Sequence, residues 1–161
     1  DVAGILEKLV SKGINCIEIT LRSDAAFACI KEALKIAPEG FSVGVGTIIN
    51  MEQVKYCSEL GVGFMVSPGA NPSLIKAMEL SKIPFLPGVM TPSEILNAME
   101  LGCKFLKLFP YNIAGGLKAL KSYGQVFSAV KFCPTGGINA DSCHEVLALD
   151  NVISVGGSWL V

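Results

Sequence analysis

Short apolar runs alternate with amphipathic stretches along the whole chain. The runs cover residues 16–21, 41–48, 64–66, 84–86, 105–109, 130–133 and 152–155. Each is brief and bounded by turn-forming residues, which reads as a strand covered on both faces. Between them, apolar residues recur at helical spacing over stretches such as 24–37, 51–60, 72–81, 92–101 and 141–149, and a first helix at 2–12 precedes them all. Strands alternating with helices at this pitch predict βαβ units and a parallel sheet.

The helix starts are written into the sequence. Thr91-Pro92-Ser93-Glu94 has the form of a capping box with proline at the first helical position. Asn50-Met51-Glu52-Gln53 repeats it with glutamine as the reaching residue, and Asn71-Pro72 and Asn139-Ala140-Asp141 offer two more caps. Just before these caps stand Gly46-Thr47, Pro68-Gly69, Pro87-Gly88 and Thr135-Gly136-Gly137. Strand ends therefore run into tight turns and then capped helices, on the sheet edge where α/β active sites form. The pattern counts as seven strands and seven helices, opening on a helix and ending on a strand. An eight-unit (β/α)8 barrel without its first strand and last helix would read this way. The chain has 161 residues, where a full barrel takes about 250. The expectation is one domain over residues 1–161, a truncated TIM barrel incomplete at both ends; the rival is an open, doubly wound sheet.

Composition narrows the function classes. Hydrophobic residues make up 51% and charged residues 17%, which excludes a disordered chain. The net charge is −1, so there is no basic footprint for nucleic acid. The longest uncharged stretch, 60–75, contains Pro68 and Pro72 and is too short and broken to span a bilayer. Six cysteines lie far apart and the only histidine is His144. Neither zinc-ligand spacing nor a CxxC pair is present, so the expectation is reduced thiols, an intracellular protein and no metal.

Three places carry candidate chemistry. In Cys16-Ile-Glu-Ile-Thr-Leu-Arg22, alternation sends Ile17, Ile19 and Leu21 toward covering helices and Cys16, Glu18, Thr20 and Arg22 inward. Inward charges must be paired or used, and a structural Glu18–Arg22 salt bridge accounts for them without chemistry. In Lys104-Phe-Leu-Lys-Leu-Phe-Pro110, Lys107 shares a face with Phe105 and Phe109, while Lys104 starts the strand and can reach out to water. An inward lysine is an amine able to attack a carbonyl and form a Schiff base, or simply a buried partner for Glu18. Lastly, Gly136-Gly137 and Gly156-Gly157 follow the last two strands. Such loops bind phosphate through backbone N–H groups in many barrels, or are merely tight turns. His144 reads as a solvated helix residue, and Trp159 as a packing residue.

Taken in order, Glu18-Ile-Thr-Leu-Arg22, Val45-Gly-Thr47, Ser67-Pro-Gly69, Pro87-Gly88, Phe105-Leu-Lys-Leu-Phe-Pro110, Cys133-Pro-Thr-Gly-Gly-Ile138 and Gly156-Gly-Ser-Trp-Leu160 resemble the 2-keto-3-deoxy-6-phosphogluconate (KDPG) and 4-hydroxy-2-oxoglutarate aldolase family across essentially the whole chain. The resemblance implies a class I aldolase that cleaves KDPG to pyruvate and glyceraldehyde 3-phosphate. It makes Lys107 the Schiff-base lysine and Glu18 the general acid/base. Arg22 and Thr47 would hold the substrate carboxylate, and Phe109, Thr135 and Pro87 would touch the substrate. Gly136, Gly137, Gly157 and Ser158 would take the phosphate. It further implies no metal and no cofactor, a phosphorylated keto-acid as small-molecule partner, no nucleic acid and no membrane, and a cytoplasmic homotrimer. Hydroxy-oxoglutarate and the phosphogalactonate epimer are alternative substrates. A phosphosugar isomerase-like barrel or a non-catalytic sugar-phosphate-binding fragment would be other kinds of protein.

Overall fold

The computed structural model describes all residues, 1–161. The chain runs α1 (Val2–Ser11), β1 (Cys16–Thr20), α2 (Ala26–Ile36), β2 (Ser42–Gly46), α3 (Met51–Leu60), β3 (Phe64–Val66), α4 (Pro72–Leu80), β4 (Phe85–Leu86), β5 (Gly88–Val89), α5 (Pro92–Glu100), β6 (Phe105–Leu108), α6 (Gly116–Val126), β7 (Lys131–Pro134) and α7 (Cys143–Leu147). Every strand pair is parallel. The ladders run β1-β2-β3-β4 and β5-β6-β7. β4 and β5 are two halves of one extended stretch that Pro87, lacking an N–H, interrupts. Within both ladders each strand pairs with the next in sequence, without the order reversal of an open doubly wound sheet.

Alternation sets the two faces. Val45 and Met65 pack outward with Ile30, Val54, Cys57, Leu74 and Met78 from α2, α3 and α4. Val89, Leu106, Leu108 and Phe132 do the same with Ile95, Leu120 and Val146 from α5, α6 and α7. The opposite face carries Glu18, Gly44, Gly46, Gly88, Lys107 and Cys133, which the strand registers align. The apolar core thus lies between sheet and helices, and the other sheet face is left for chemistry. No helix is long and apolar enough to cross a membrane.

The caps act largely as the sequence suggests. Thr91 Oγ1 accepts from the Glu94 N–H at 3.4 Å, and Glu94 Oε2 accepts from the N–H groups of Thr91 and Met90 at 2.7 and 2.8 Å. Burial works to raise the Glu94 carboxyl, yet these donors and the Thr91 hydroxyl bring it below its ordinary value. Asn50 and Asn71 accept from Gln53 and Leu74. Asn139 behaves differently: its Oδ1 accepts from Asp141 and Ser142 N–H groups. That closes a local turn, and the helix expected at 141–149 forms only over Cys143–Leu147.

The expected strand at 152–155 is reduced to two isolated parallel bridges, Phe132↔Val152 and Thr135↔Gly156. Between the bridges this segment advances from 152 to 156 while β7 advances only from 132 to 135. The extra residue breaks a continuous ladder, as a bulge does. Helix α6 lies outside the helical stretches bounded above; its N-cap is Gly115, which has no side chain to accept a hydrogen bond.

Candidate active site

Two polar or charged residues of the chain are buried, Ser67 and Lys107. Lys107 lies in β6 between Gly88 of β5 and Cys133 of β7, its register partners. Its backbone N–H donates to the buried Pro87 carbonyl at 3.0 Å. The missing side chain of Gly88 leaves β5 free to close on the Ser67-Pro68 backbone, which an added Cβ would overlap. Lys107 Nζ is 3.5 Å from Glu18 Oε1, with the two side chains 7% and 25% exposed. It also stands 5.0 Å from the centre of the half-buried Phe109 ring, a cation–π contact.

Glu18 reaches Lys107 because its neighbour in β2 is small. Glu18 pairs with Gly44, and its side chain lies across Gly46, where any Cβ would run into the carboxylate. So of the two partners considered from sequence, Lys107 takes Glu18 and Arg22 does not. Arg22 is a correction to the alternation argument. β1 ends at Thr20, the backbone turns, and Arg22 is exposed, its Nε donating to Thr20 Oγ1 at 3.1 Å. It lies beside the end of β2 all the same, because the Leu21 N–H donates to the Gly46 carbonyl. Thr47, the next residue, is half-buried with a φ of 61°, a left-handed conformation unusual for threonine.

The glycine pairs come together through the Thr135↔Gly156 bridge, which sends the two loops off side by side. Thr135 is half-buried with its side chain against Gly156. The N–H groups of Gly136, Gly137, Gly157 and Ser158 find no backbone acceptor in the chain. Gly137, Gly157 and Ser158 are exposed. Trp159 packs over Gly157 and against the core, as a packing residue should.

Cys133 belongs to this site although its thiol drew no attention in the sequence. Burial pushes the thiol up; Ser154 and Thr135 side chains pull it down, Glu18 raises it further and Lys107 lowers it. Its place comes from the strand register, which sets it opposite Lys107. The arrangement as a whole offers an amine, a carboxylate beside it, an aromatic wall and a cluster of free backbone donors at one end of the strands.

A family model described as KDPG and KHG aldolase matches residues 1–161. The chain belongs to the KDPG and KHG aldolase family. Among curated members, the KHG/KDPG aldolase of Escherichia coli strain K12 is 42% identical over 153 residues, covering 95% of this chain and 71% of that protein. The KDPG aldolase of Legionella pneumophila, solved with pyruvate captured at low pH as a covalent carbinolamine intermediate, superposes with a TM-score of 0.95 at 39% identity, covering 99% of this chain and 77% of that one. The aldolase of Zymomonas mobilis ZM4, solved with 3-phosphoglycerate, gives a TM-score of 0.93 at 40% identity over 100% and 78%.

Proposed function

We propose that this chain is a class I aldolase that cleaves 2-dehydro-3-deoxy-6-phosphogluconate to pyruvate and glyceraldehyde 3-phosphate through a Schiff base on Lys107. The observation that carries the reading is the buried Lys107 amine held 3.5 Å from the Glu18 carboxylate, in a chain whose relatives bear this activity in their names.

In this reading Lys107 Nζ, as the free amine, adds to the C2 ketone, and loss of water gives a protonated imine. Glu18, through a water, takes the proton of the C4 hydroxyl. The C3–C4 bond breaks, its electrons flow into the imine, and C4 leaves as the aldehyde of glyceraldehyde 3-phosphate. The enamine left on Lys107 takes a proton at C3 from Glu18, and water releases pyruvate and the free lysine. The imine is the electron sink, so the residues need no metal for this bond cleavage. One positioned acid/base contributes about 10²–10⁴-fold.

The remaining roles follow position. Arg22 and Thr47, at the ends of adjacent strands, hold the pyruvate carboxylate. Phe109 lines the reacting carbons, Pro87 fixes the Lys107 backbone at the substrate's side, and Thr135 meets the sugar hydroxyls. The free N–H groups of Gly136, Gly137, Gly157 and Ser158 receive the phosphate. The strands belong to a (β/α)8 barrel, and the working form is a cytoplasmic homotrimer. The test is direct: supplied with the phosphorylated keto-acid, the protein releases pyruvate, read by a coupled dehydrogenase. No pyruvate above background overturns the reading.

A further inference from the structure

The second buried polar residue, Ser67, has no place in the chemistry above, and its surroundings link it to Lys107. It follows β3, and its N–H donates to the Leu86 carbonyl at 3.2 Å, the last regular ladder bond between β3 and β4. In a regular parallel ladder the next bond would run from the Gly88 N–H to the Ser67 carbonyl. Here the Gly88 N–H donates to Ser67 Oγ at 3.2 Å instead. The side chain replaces a ladder carbonyl across the break at Pro87. Ser67 thus grips both sides of Pro87, Leu86 through its backbone and Gly88 through its hydroxyl. On the far side of the same stretch, the Pro87 carbonyl accepts the Lys107 N–H, and Gly88 sits in register with Lys107.

We infer that Ser67 is a positioning residue for the Schiff-base lysine. It fixes β5 against β3, and β5 fixes the height and tilt of β6 that aim Lys107 Nζ at the carbonyl carbon and at Glu18. The inference rests on the Schiff-base reading above. It adds that one buried hydroxyl, touching no substrate, sets the attack geometry. Ser67 is fully buried, so without the hydroxyl no water replaces it, and the Gly88 N–H loses its partner. β5 then shifts to find another acceptor, and a misplacement of about an ångström at a reacting atom costs on the order of 10²-fold.

The test compares Ser67→Ala, Ser67→Cys and a control, Val62→Ala, which hollows the core near α3 and α4 away from the site. Each is measured for thermal midpoint, for kcat and KM on the phosphorylated keto-acid, and for the rate of borohydride trapping with pyruvate. Ser67→Ala slows trapping and kcat together by roughly tenfold or more, with KM little changed, because near-attack geometry rather than binding is lost. Ser67→Cys, with a weak sulfur acceptor, falls between it and the parent. Val62→Ala lowers the midpoint but keeps kcat. Parent-like trapping in Ser67→Ala overturns the inference, and so does an equal loss of kcat in Val62→Ala. Should Ser67→Ala fail to fold, Ser67→Cys decides by the same criteria, with parent-like trapping counting against. Failure of the parent protein to trap pyruvate is a different result, and sinks the aldolase reading itself.

Discussion

Replacing Glu18 by Gln is the most informative change short of removing the lysine. The amide keeps the side chain's shape, so it fits the space over Gly46 that the carboxylate fills now. What goes is the charge and the base. At 3.5 Å and an effective dielectric of about 20, the attraction between the pair is roughly 5 kcal/mol before desolvation is counted. Glu18 is a quarter exposed, so solvent offsets much of this. Exposed pairs contribute about 0–1 kcal/mol, and breaking fully buried ones costs about 3–5 kcal/mol. This pair lies between, at roughly 1–3 kcal/mol, and a domain stable by about 5–15 kcal/mol remains folded. The catalytic loss is larger. Removing a positioned acid/base costs about 10²–10⁴-fold, equivalent to about 3–5 kcal/mol in the barrier. The assay is deuterium exchange at the pyruvate methyl group, followed by NMR in D2O, beside borohydride trapping. Exchange slows by about 10²-fold or more, while trapping with pyruvate persists in part. Exchange at the parent rate in a folded Gln variant refutes the acid/base role. Equal losses of exchange and trapping refute it too, and leave Glu18 as a structural partner of Lys107.

Four further outcomes follow from other parts of the structure. Thr91→Ala removes the cap of α5 and lowers stability by about 0.5–2 kcal/mol in urea unfolding. Because the Glu94 carboxyl lies below its ordinary 4.5, its contribution is complete above that value and fades as pH falls through the folded-state value. The gap in thermal midpoint between parent and Glu94→Gln therefore closes on acidification, and a gap unchanged down to unfolding contradicts the cap. Burial pushes the Cys57 thiol up to about 11, so iodoacetamide at neutral pH labels Cys57 only after denaturant is added; native labelling seen by peptide mass would contradict its placement in the core. Finally, the protein cleaves the phosphorylated keto-acid far better than 4-hydroxy-2-oxoglutarate, which has no phosphate. Equal kcat/KM for the two means that the paired glycine loops are turns and nothing more.

Much of this was legible because strands obey a strict two-residue period. Alternation alone put Glu18 and Lys107 on the face away from the helices, and the register then brought them together. The same rule misled at Arg22, where it was extended past Thr20, the last residue of β1. A period holds only while the ladder holds, and hydrogen bonds to the next strand, not residue identity, decide where it stops. The strand at 152–155 is a related case: its apolar residues are right for pairing, but one extra residue between the bridges splits the ladder. Cys133 was overlooked because a cysteine in an apolar run reads as a small hydrophobe. Only the register opposite Lys107 gives it a place in the site. The role of Ser67 was also beyond the sequence, since it depends on a hydroxyl replacing a carbonyl across a proline break.

The central claim is that Lys107, and no other amine, carries the substrate. The most direct measurement is reduction with borohydride in the presence of pyruvate, followed by intact mass and peptide mapping. The account predicts one pyruvate-derived adduct per chain, located on Lys107, absent from Lys107→Ala and retained in Lys104→Ala. Lys104 and Lys131 are the neighbouring amines; Lys104 is exposed at the start of the strand and Lys131 Nζ donates to the Asp150 carbonyl at 2.8 Å. An adduct on either of them, or an adduct that survives in Lys107→Ala, contradicts the account.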